Sequence, residues 1–489
     1  MPAGQRNTAL MQTHSRIPRI VLAALKGGAG KTFVSVGLVA ALRVRGLNLS
    51  VFKKGPDYID AGWLGLAAGG ACYNLDPYLF ERETVLDSFV KRSLDKDAAI
   101  VEGNRGLFDG VDSAGSYSTA ELAKTLKAPV VLILDATKMT RTGAALVLGC
   151  KALDPELDLR AVILNRVGGT RHERVLTQAI ETTTGIPVIG SIRKLSMDNF
   201  PQRHLGLLPL QEHPGAMDFV AEASAIVEQS VDLDRLTEMA RNAGELQTVP
   251  HNSQECSNRT VQGIRIGVIR DSAFQFYYPE NLEALENLGA EIVFLSALDP
   301  IELPDIHALY IGGGFPETHA ERLANNSVFK RSLLEAVKNG LPVYAECGGL
   351  MYLCRSLRVD EKVYPMVGVF PVDTVLERKP QGLGYIKVEV DSPNPFYSKG
   401  QALTGHEFHY SAVRGLNMPG VSCAFRVLRG HGMDGSRDGI CNYNALGTYL
   451  HLHALGEPRW AEAILTRAAE FKKARDSFRV SKIAGNFLG

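Results

Sequence analysis

The chain has 489 residues, with 53 basic and 53 acidic side chains and a formal net charge of zero. That balance removes the broad electrostatic case for nucleic acid or a stable hold on an anionic membrane, and no apolar run approaches the roughly 18–20 residues of a membrane span. Hydrophobic content of 45% against 22% charged is globular, and at roughly 150 residues per domain the length predicts two to four domains. The cysteines are odd in number and none has CxxC spacing. They predict neither a disulfide framework nor a zinc site, and a reducing compartment, the cytoplasm.

In chain order, residues 1–18 lack the apolar core of a secretory signal and read as a flexible extension. Residues 20–25, 49–53, 99–102, 130–136 and 161–165 read as buried strands, with helices over 32–45, 141–153 and 171–183. Continuous apolar strands joined by helices predict an α/β fold with a parallel, doubly wound sheet. A polar, turn-rich linker covers 242–262, and the pattern then restarts. Strands are expected at 265–270, 292–295, 308–311 and 342–346, a helix at 279–288, and an antiparallel portion over 363–429. The expected domains are 19–241 and 263–465, followed by a tail, 466–489.

Lys26-Gly27-Gly28-Ala29-Gly30-Lys31-Thr32 follows the first strand and opens a helix. Glycines let backbone N–H groups converge on phosphate at a helix N-terminus; Lys31 supplies charge and the Thr32 hydroxyl suits Mg²⁺. Leu25 stands where an ordinary Walker A has Gly. The loop resembles the deviant form shared by MinD, the nitrogenase iron protein and dethiobiotin synthetase. That resemblance implies ATP as ligand, and for Lys26 either a reach to a partner's nucleotide in a homodimer or a flanking place.

Gly55-Pro56-Asp57-Tyr58-Ile59-Asp60 leaves the carboxyl end of the second strand, the edge where ligands bind in such sheets. Its two acids and Tyr58 read as a group that holds Mg²⁺ or orients a substrate carboxylate, against the alternative of a solvated turn. Glu102 closes a buried strand and needs a partner. Mg²⁺ beside Thr32 and a purely structural contact are the two readings.

In the second half, Ala345-Glu346-Cys347-Gly348-Gly349 joins a strand to a helix with small residues around the cysteine. This is the pattern of a nucleophile elbow, with the Gly348 N–H placed for an oxyanion. Gly313 and Gly314 end another strand and read as further oxyanion donors, whereas Cys354 reads as an inert thiol on the following helix face. A Cys nucleophile needs a base. His406, His409, His451 and His453 all qualify, and the alternation of the last two puts both on one face if they lie in a strand.

Taken together, Gly313-Gly314-Phe315-Pro316-Glu317, the cysteine elbow and Thr448-Tyr449-Leu450-His451 resemble a class I glutamine amidotransferase domain. Lys53 to Asp60, Arg203-His204-Leu205-Gly206-Leu207, Phe276 to Leu282 and Gly405 to Ser411 resemble the cobyrinic acid a,c-diamide synthase family, over about residues 20–464. The resemblance implies a dethiobiotin synthetase/MinD-like P-loop domain followed by that amidotransferase domain. Glutamine would be hydrolysed at Cys347, with His451 as its base. Because His453 stands where other class I amidotransferases carry a Glu, a Cys–His dyad is expected. ATP would phosphorylate a carboxylate of a tetrapyrrole and ammonia would displace the phosphate. The resemblance assigns Lys31 and Thr32 to phosphate and Mg²⁺, Asp57 and Glu102 to Mg²⁺ and the reacting phosphate, and Tyr58 and Asp60 to substrate carboxylates. Asn104-Arg105 and the 135–141 segment depart from the family's usual residues. They keep siroheme or (Ni-)sirohydrochlorin open beside cobyrinic acid, with Arg105, Lys138 and Arg141 as partners for the substrate's acids. The competing class is a MinD-like nucleotide switch, for which the basic stretch 475–488 would be a membrane-targeting tail.

Overall fold

The computed structural model describes residues 13–195, 202–203, 206–207, 209–248 and 263–486. The chain forms two compact units, Met1–Gln254 and Glu255–Gly489. Much of the 203–207 motif, Cys256 and the far end of the basic tail lie outside the described residues and side chains.

Seven strands make the sheet of the first unit: β1 (Arg19–Ala24), β2 (Leu49–Lys54), β3 (Cys72–Leu75), β4 (Ala98–Glu102), β5 (Val130–Asp135), β6 (Leu159–Val167) and β7 (Val188–Arg193). They are all parallel, in the order β3-β2-β4-β1-β5-β6-β7. Every residue of β1, β2, β4 and β5 is buried, as expected of strands covered on both faces. The helices are α1 (Lys31–Val44), α2 (Ile59–Ala68), α3 (Arg82–Ser93), α4 (Thr119–Thr125), α5 (Arg141–Leu153), α6 (Thr170–Thr184), α7 (Ala216–Ser230) and α8 (Leu233–Arg241). In α7, Phe219, Val220, Ala223 and Val227 form one buried stripe that packs against α1. Each such large apolar side chain, fully buried, contributes about 1.5–3 kcal/mol. The predicted strands and helices of this unit are present within a residue or two at each end. β3, β7 and five of the helices, α2–α4, α7 and α8, were not among them.

Two short segments read as extension and linker pair instead: Thr13–Ser15 runs antiparallel to Leu246–Thr248. Arg19 shows why the segment after α8 stays with this unit. Its guanidinium is fully buried and donates to the carbonyls of Ile17 (2.7 Å), Leu126 (2.6 Å), Lys127 (3.1 Å) and Gly244. Burial pulls this group down to about 10, and the carbonyls supply the hydrogen bonds that a buried cation requires.

The second unit has a nine-stranded mixed sheet: β8 (Ile264–Ile269), β9 (Ala290–Leu295), β10 (Ala308–Ile311), β11 (Val343–Glu346), β12 (Gly382–Val390), β13 (Ala402–His409), β14 (Ser422–Arg429), β15 (Arg437–Asn442) and β16 (Ala445–Thr448). The order is β9-β8-β10-β11-β16-β15-β14-β12-β13. The first five are parallel, and pairing from β16 through β13 is antiparallel. The expected antiparallel portion is therefore present and runs on to Asn442. Strand alternation divides the core between the two faces. In β10, Leu309 and Ile311 join the cluster of Phe329, Leu350 and Phe370, while Ala308 and Tyr310 join that of Tyr344, Trp460 and Leu465. The helices here are α9 (Pro279–Asn287), α10 (Ala320–Asn325), α11 (Ser327–Lys338), α12 (Gly348–Leu353) and α13 (Arg459–Asn486). α13 buries Trp460, Ala461, Ile464, Leu465 and Ala468, so one helix runs across the boundary expected at 465. Among the described residues no helix is long and apolar enough to cross a membrane.

Candidate active sites

The loop after β1 leads into α1 at the carboxyl edge of the first sheet. Gly30 caps α1 with φ 81°, and a Cβ there would run into Asn165 Nδ2. That amide donates to Ala29 O (2.8 Å). Only glycine meets both the left-handed backbone and the close approach. Lys31 is buried, and its ammonium donates to Arg105 O (3.2 Å). Burial, aided by Lys53, holds it below the usual lysine range. The Asn104-Arg105 departure thus forms the turn that receives Lys31, while the Arg105, Lys138 and Arg141 side chains are exposed. Lys26 reaches Asp135 Oδ2 (3.6 Å), which also takes Arg166 (3.0 Å).

The acids predicted around Thr32 converge, with a cation at their centre. Lys53, 1% exposed, lies 2.6 Å from Asp60 Oδ2, 2.6 Å from Glu102 Oε1 and 3.7 Å from Asp57 Oδ2. Thr32 Oγ1 donates to Glu102 Oε1 (3.1 Å). The partner demanded by Glu102 is therefore Lys53 together with Thr32, a contact the sequence reading did not name. Its signal was a lysine in an otherwise buried strand, ending at the ligand edge. Burial alone would depress the Lys53 ammonium, but Asp60, Glu102 and Asp57 hold it well above its ordinary value. Burial pushes Asp57 up to about 7, with Asp60 adding repulsion. Asp60 moves down, because Lys53 outweighs the effect of burial. Asp57 Oδ1 also accepts the Asp60 N–H (2.9 Å), and Asn74 Nδ2 fixes the turn through Gly55 O (2.7 Å) and Asp57 O (3.0 Å).

These residues suit a hard divalent cation shared with phosphate and water, which needs only one or two protein carboxylates. The donors are all oxygen, and Glu102 Oε2 is buried with no hydrogen-bond partner among the described residues. No three acids, cysteines or histidines among the described residues already converge on one metal position.

In the second unit Cys347 sits between β11 and α12 with φ 47° and ψ −98°. A non-glycine residue held there is strained on the order of 1–3 kcal/mol. Its N–H donates to Thr448 O (2.7 Å), and its thiol lies 3.7 Å from Phe408 O. His451 hydrogen-bonds both Cys347 and Glu346. Burial would lower this imidazole, but those two bonds raise it to about 10. Among the four candidate bases, His451 pairs with the Cys347 side chain. His406 stacks on it (centroids 4.8 Å apart), His409 stacks on Tyr449 (3.5 Å), and His453 is 3.6 Å from Glu280.

The alternation argument for His451 and His453 fails because β16 ends at Thr448. Asp438, fully buried, accepts from Thr448 Oγ1 (2.7 Å), Tyr449 N (3.1 Å) and Leu450 N (3.2 Å) and turns the chain out of the sheet. Cys354 is buried as expected, but it begins the next strand and does not lie on the α12 face. Burial holds its thiol well above the ordinary value. Gly313 must be glycine: a Cβ there would come 2.6 Å from His451 Cε1. Gly314 N lies 3.0 Å from where a Cβ added at Gly348 would sit, so the two glycines pack closely.

A phosphate loop facing a buried acid cluster, followed by a cysteine elbow with its histidine, defines a nucleotide-binding module joined to a glutamine amidotransferase module. Comparison agrees for each part. Residues 20–207 match the CobQ/CobB/MinD/ParA nucleotide binding domain, and residues 265–459 match the CobB/CobQ-like glutamine amidotransferase domain. A cobyrinate a,c-diamide synthase of Magnetococcus marinus is 43% identical over 95% of this chain and 99% of its own. Enzymes of that name from Archaeoglobus fulgidus and Methanobrevibacter smithii are each 40% identical, over 93% and 92% of this chain and 98% and 99% of theirs. The chain belongs to the cobyrinate a,c-diamide synthase family, a class of glutamine-dependent, ATP-using amidating ligases.

Proposed function

We propose that the chain converts the a and c acetate carboxylates of cobyrinic acid to amides, using ATP and glutamine. The observation that carries this reading is the pairing of a strained Cys347 with His451 on the same chain as a complete phosphate loop. Near end-to-end similarity to relatives of that name supports the choice of substrate.

In the second unit, Cys347 Sγ attacks the side-chain carbonyl carbon of glutamine. His451 takes the thiol proton and returns it to the departing ammonia. Gly348, Gly313 and Gly314 supply N–H groups to the oxyanion. Water then cleaves the thioester, releasing glutamate and restoring Cys347. In the first unit, the loop amides of Gly27, Gly28 and Gly30 with Lys31 hold the phosphates of ATP. A substrate carboxylate oxygen, positioned by Tyr58 and Asp60, takes the γ-phosphoryl group and ADP leaves. Ammonia attacks the acyl carbon and phosphate departs, leaving the amide. Mg²⁺, held by Thr32, Asp57 and Glu102, would neutralise charge on the transferred group. The six described cysteines are all free, which suits a reducing cytoplasm.

The test is a panel of cobyrinic acid, hydrogenobyrinic acid, sirohydrochlorin, its nickel chelate and siroheme, each with ATP, Mg²⁺ and glutamine and read by mass spectrometry. Two acid-to-amide conversions on cobyrinic acid are expected. Conversion of siroheme or a sirohydrochlorin alone would overturn the choice of substrate.

A further inference from the structure

A Cys–His pair works best when a third group fixes the imidazole and its tautomer. Two residues after His451, where related amidotransferases carry that acid, this chain has His453, which faces Glu280. A different carboxylate reaches His451. Glu346, immediately before the nucleophile and fully buried, lies 3.4 Å from His451 Nδ1 through Oε2. The same oxygen accepts from Tyr310 OH (3.1 Å), and Oε1 accepts from Leu452 N (3.2 Å). Two of its three contacts are thus made to the segment that carries the base. The imidazole face is covered by His406, nearly parallel at 17°, whose backbone exchanges hydrogen bonds with that of His451 (2.8 and 3.2 Å). The ring is therefore held by one face and by Nδ1, which leaves Nε2 for the sulfur.

We propose that Glu346 is the positioning acid of the glutaminase, completing a Cys347–His451–Glu346 triad whose carboxylate comes from the strand that delivers the nucleophile. A carboxylate removed from water costs stability unless it is fully hydrogen-bonded, and this one is bonded chiefly by the base segment. Other ionisable groups surround the pair: Tyr310, Tyr344, Tyr277 and Tyr397 near Glu346, and His406, itself near His453, beside His451. None of these is a carboxylate.

The inference rests on the reading of Cys347 as the nucleophile for glutamine, so Cys347→Ala is assayed beside Glu346→Gln. With Glu346→Gln, kcat for glutamine hydrolysis should fall roughly 10²-fold or more with KM little changed. The alkaline limb of the pH profile should move to lower pH, because His451 loses a group that raises it. Amidation driven by free ammonia should persist. Glu346→Asp, which keeps the charge, should recover at least about tenfold of the lost kcat. An unchanged kcat and alkaline limb in folded Glu346→Gln would overturn the proposal, as would equal loss of glutamine- and ammonia-driven turnover. If Glu346→Gln does not fold, Glu346→Asp decides alone: a lowered kcat for glutamine hydrolysis with KM and ammonia use intact supports the assignment, and an unchanged kcat overturns it. Glutamine use surviving in Cys347→Ala would instead remove the underlying reading of the site.

Discussion

Lys53 is the residue whose environment most constrains the first site. A lysine 1% exposed is kept charged by Asp57, Asp60 and Glu102, and removing the cation alone leaves those buried carboxylates without it. Lys53→Met should therefore destabilise the first unit by about 3–5 kcal/mol, the usual cost of orphaning a buried charge partner, read as a lowered denaturation midpoint. Glu102→Gln keeps the volume and should impair amidation more than ATP affinity; equal loss of both would favour a purely structural role. His451 carries a pH prediction. Its folded value, about 10, lies above the ordinary imidazole value of 6.5, so the folded state binds the extra proton between those limits. The stabilisation is complete below about 6.5 and is lost as pH rises through about 10. Stability should fall across that window, and less so in Cys347→Ala, as urea titrations at several pH values would show. The residues hardest to read from sequence were Lys53 and Glu346, because one partner of each, Glu102 and His451, is distant in the chain. Lys53 meets Glu102 49 positions on. Yet an acid ending the buried strand β11 is the same signal that singled out Glu102.

At the scale of elements, β1, β2, β4, β5 and β6 and the helices α1, α5 and α6 were legible because their apolar runs and 3.6-residue periodicity are strong. β3 and β7 were not: four and six residues long, the second only partly buried, they carry little pattern. The ribbon of Thr13–Ser15 with Leu246–Thr248 was unreadable because two polar segments far apart in sequence create it only by pairing. The end of β16 was also hidden, since the side chain of Asp438 from the neighbouring strand decides it. Two glycine substitutions test the turns. Gly30→Ala places a Cβ against Asn165 in a left-handed residue, a strain of roughly 1–2 kcal/mol before any clash. It should remove ATP-dependent amidation while glutamine hydrolysis continues. Gly313→Ala forces the His451 ring to move and should do the reverse, lowering glutamine hydrolysis at least about tenfold with ammonia-driven amidation retained.

For the whole molecule, the arrangement is two chemistries on one chain, each built at the carboxyl edge of its own parallel strands. Their order and general character were readable from motifs, since the phosphate loop and the cysteine elbow are local in sequence. The competing picture, a nucleotide switch carrying an inactive amidotransferase fold, predicts ATP binding without glutamine chemistry. Lys31→Ala separates the halves from one side: ATP-dependent synthesis should vanish and glutaminase activity remain. The most direct measurement approaches from the other side. Purified Cys347→Ala is supplied with ATP, Mg²⁺ and cobyrinic acid, once with amide-labelled ¹⁵N-glutamine and once with ¹⁵N-ammonia at high concentration, and the product is weighed by mass spectrometry. The account predicts no label incorporated from glutamine and near-normal diamide formation from ammonia. Label from glutamine in this variant, or failure with ammonia in a protein that melts like the parent, would contradict it.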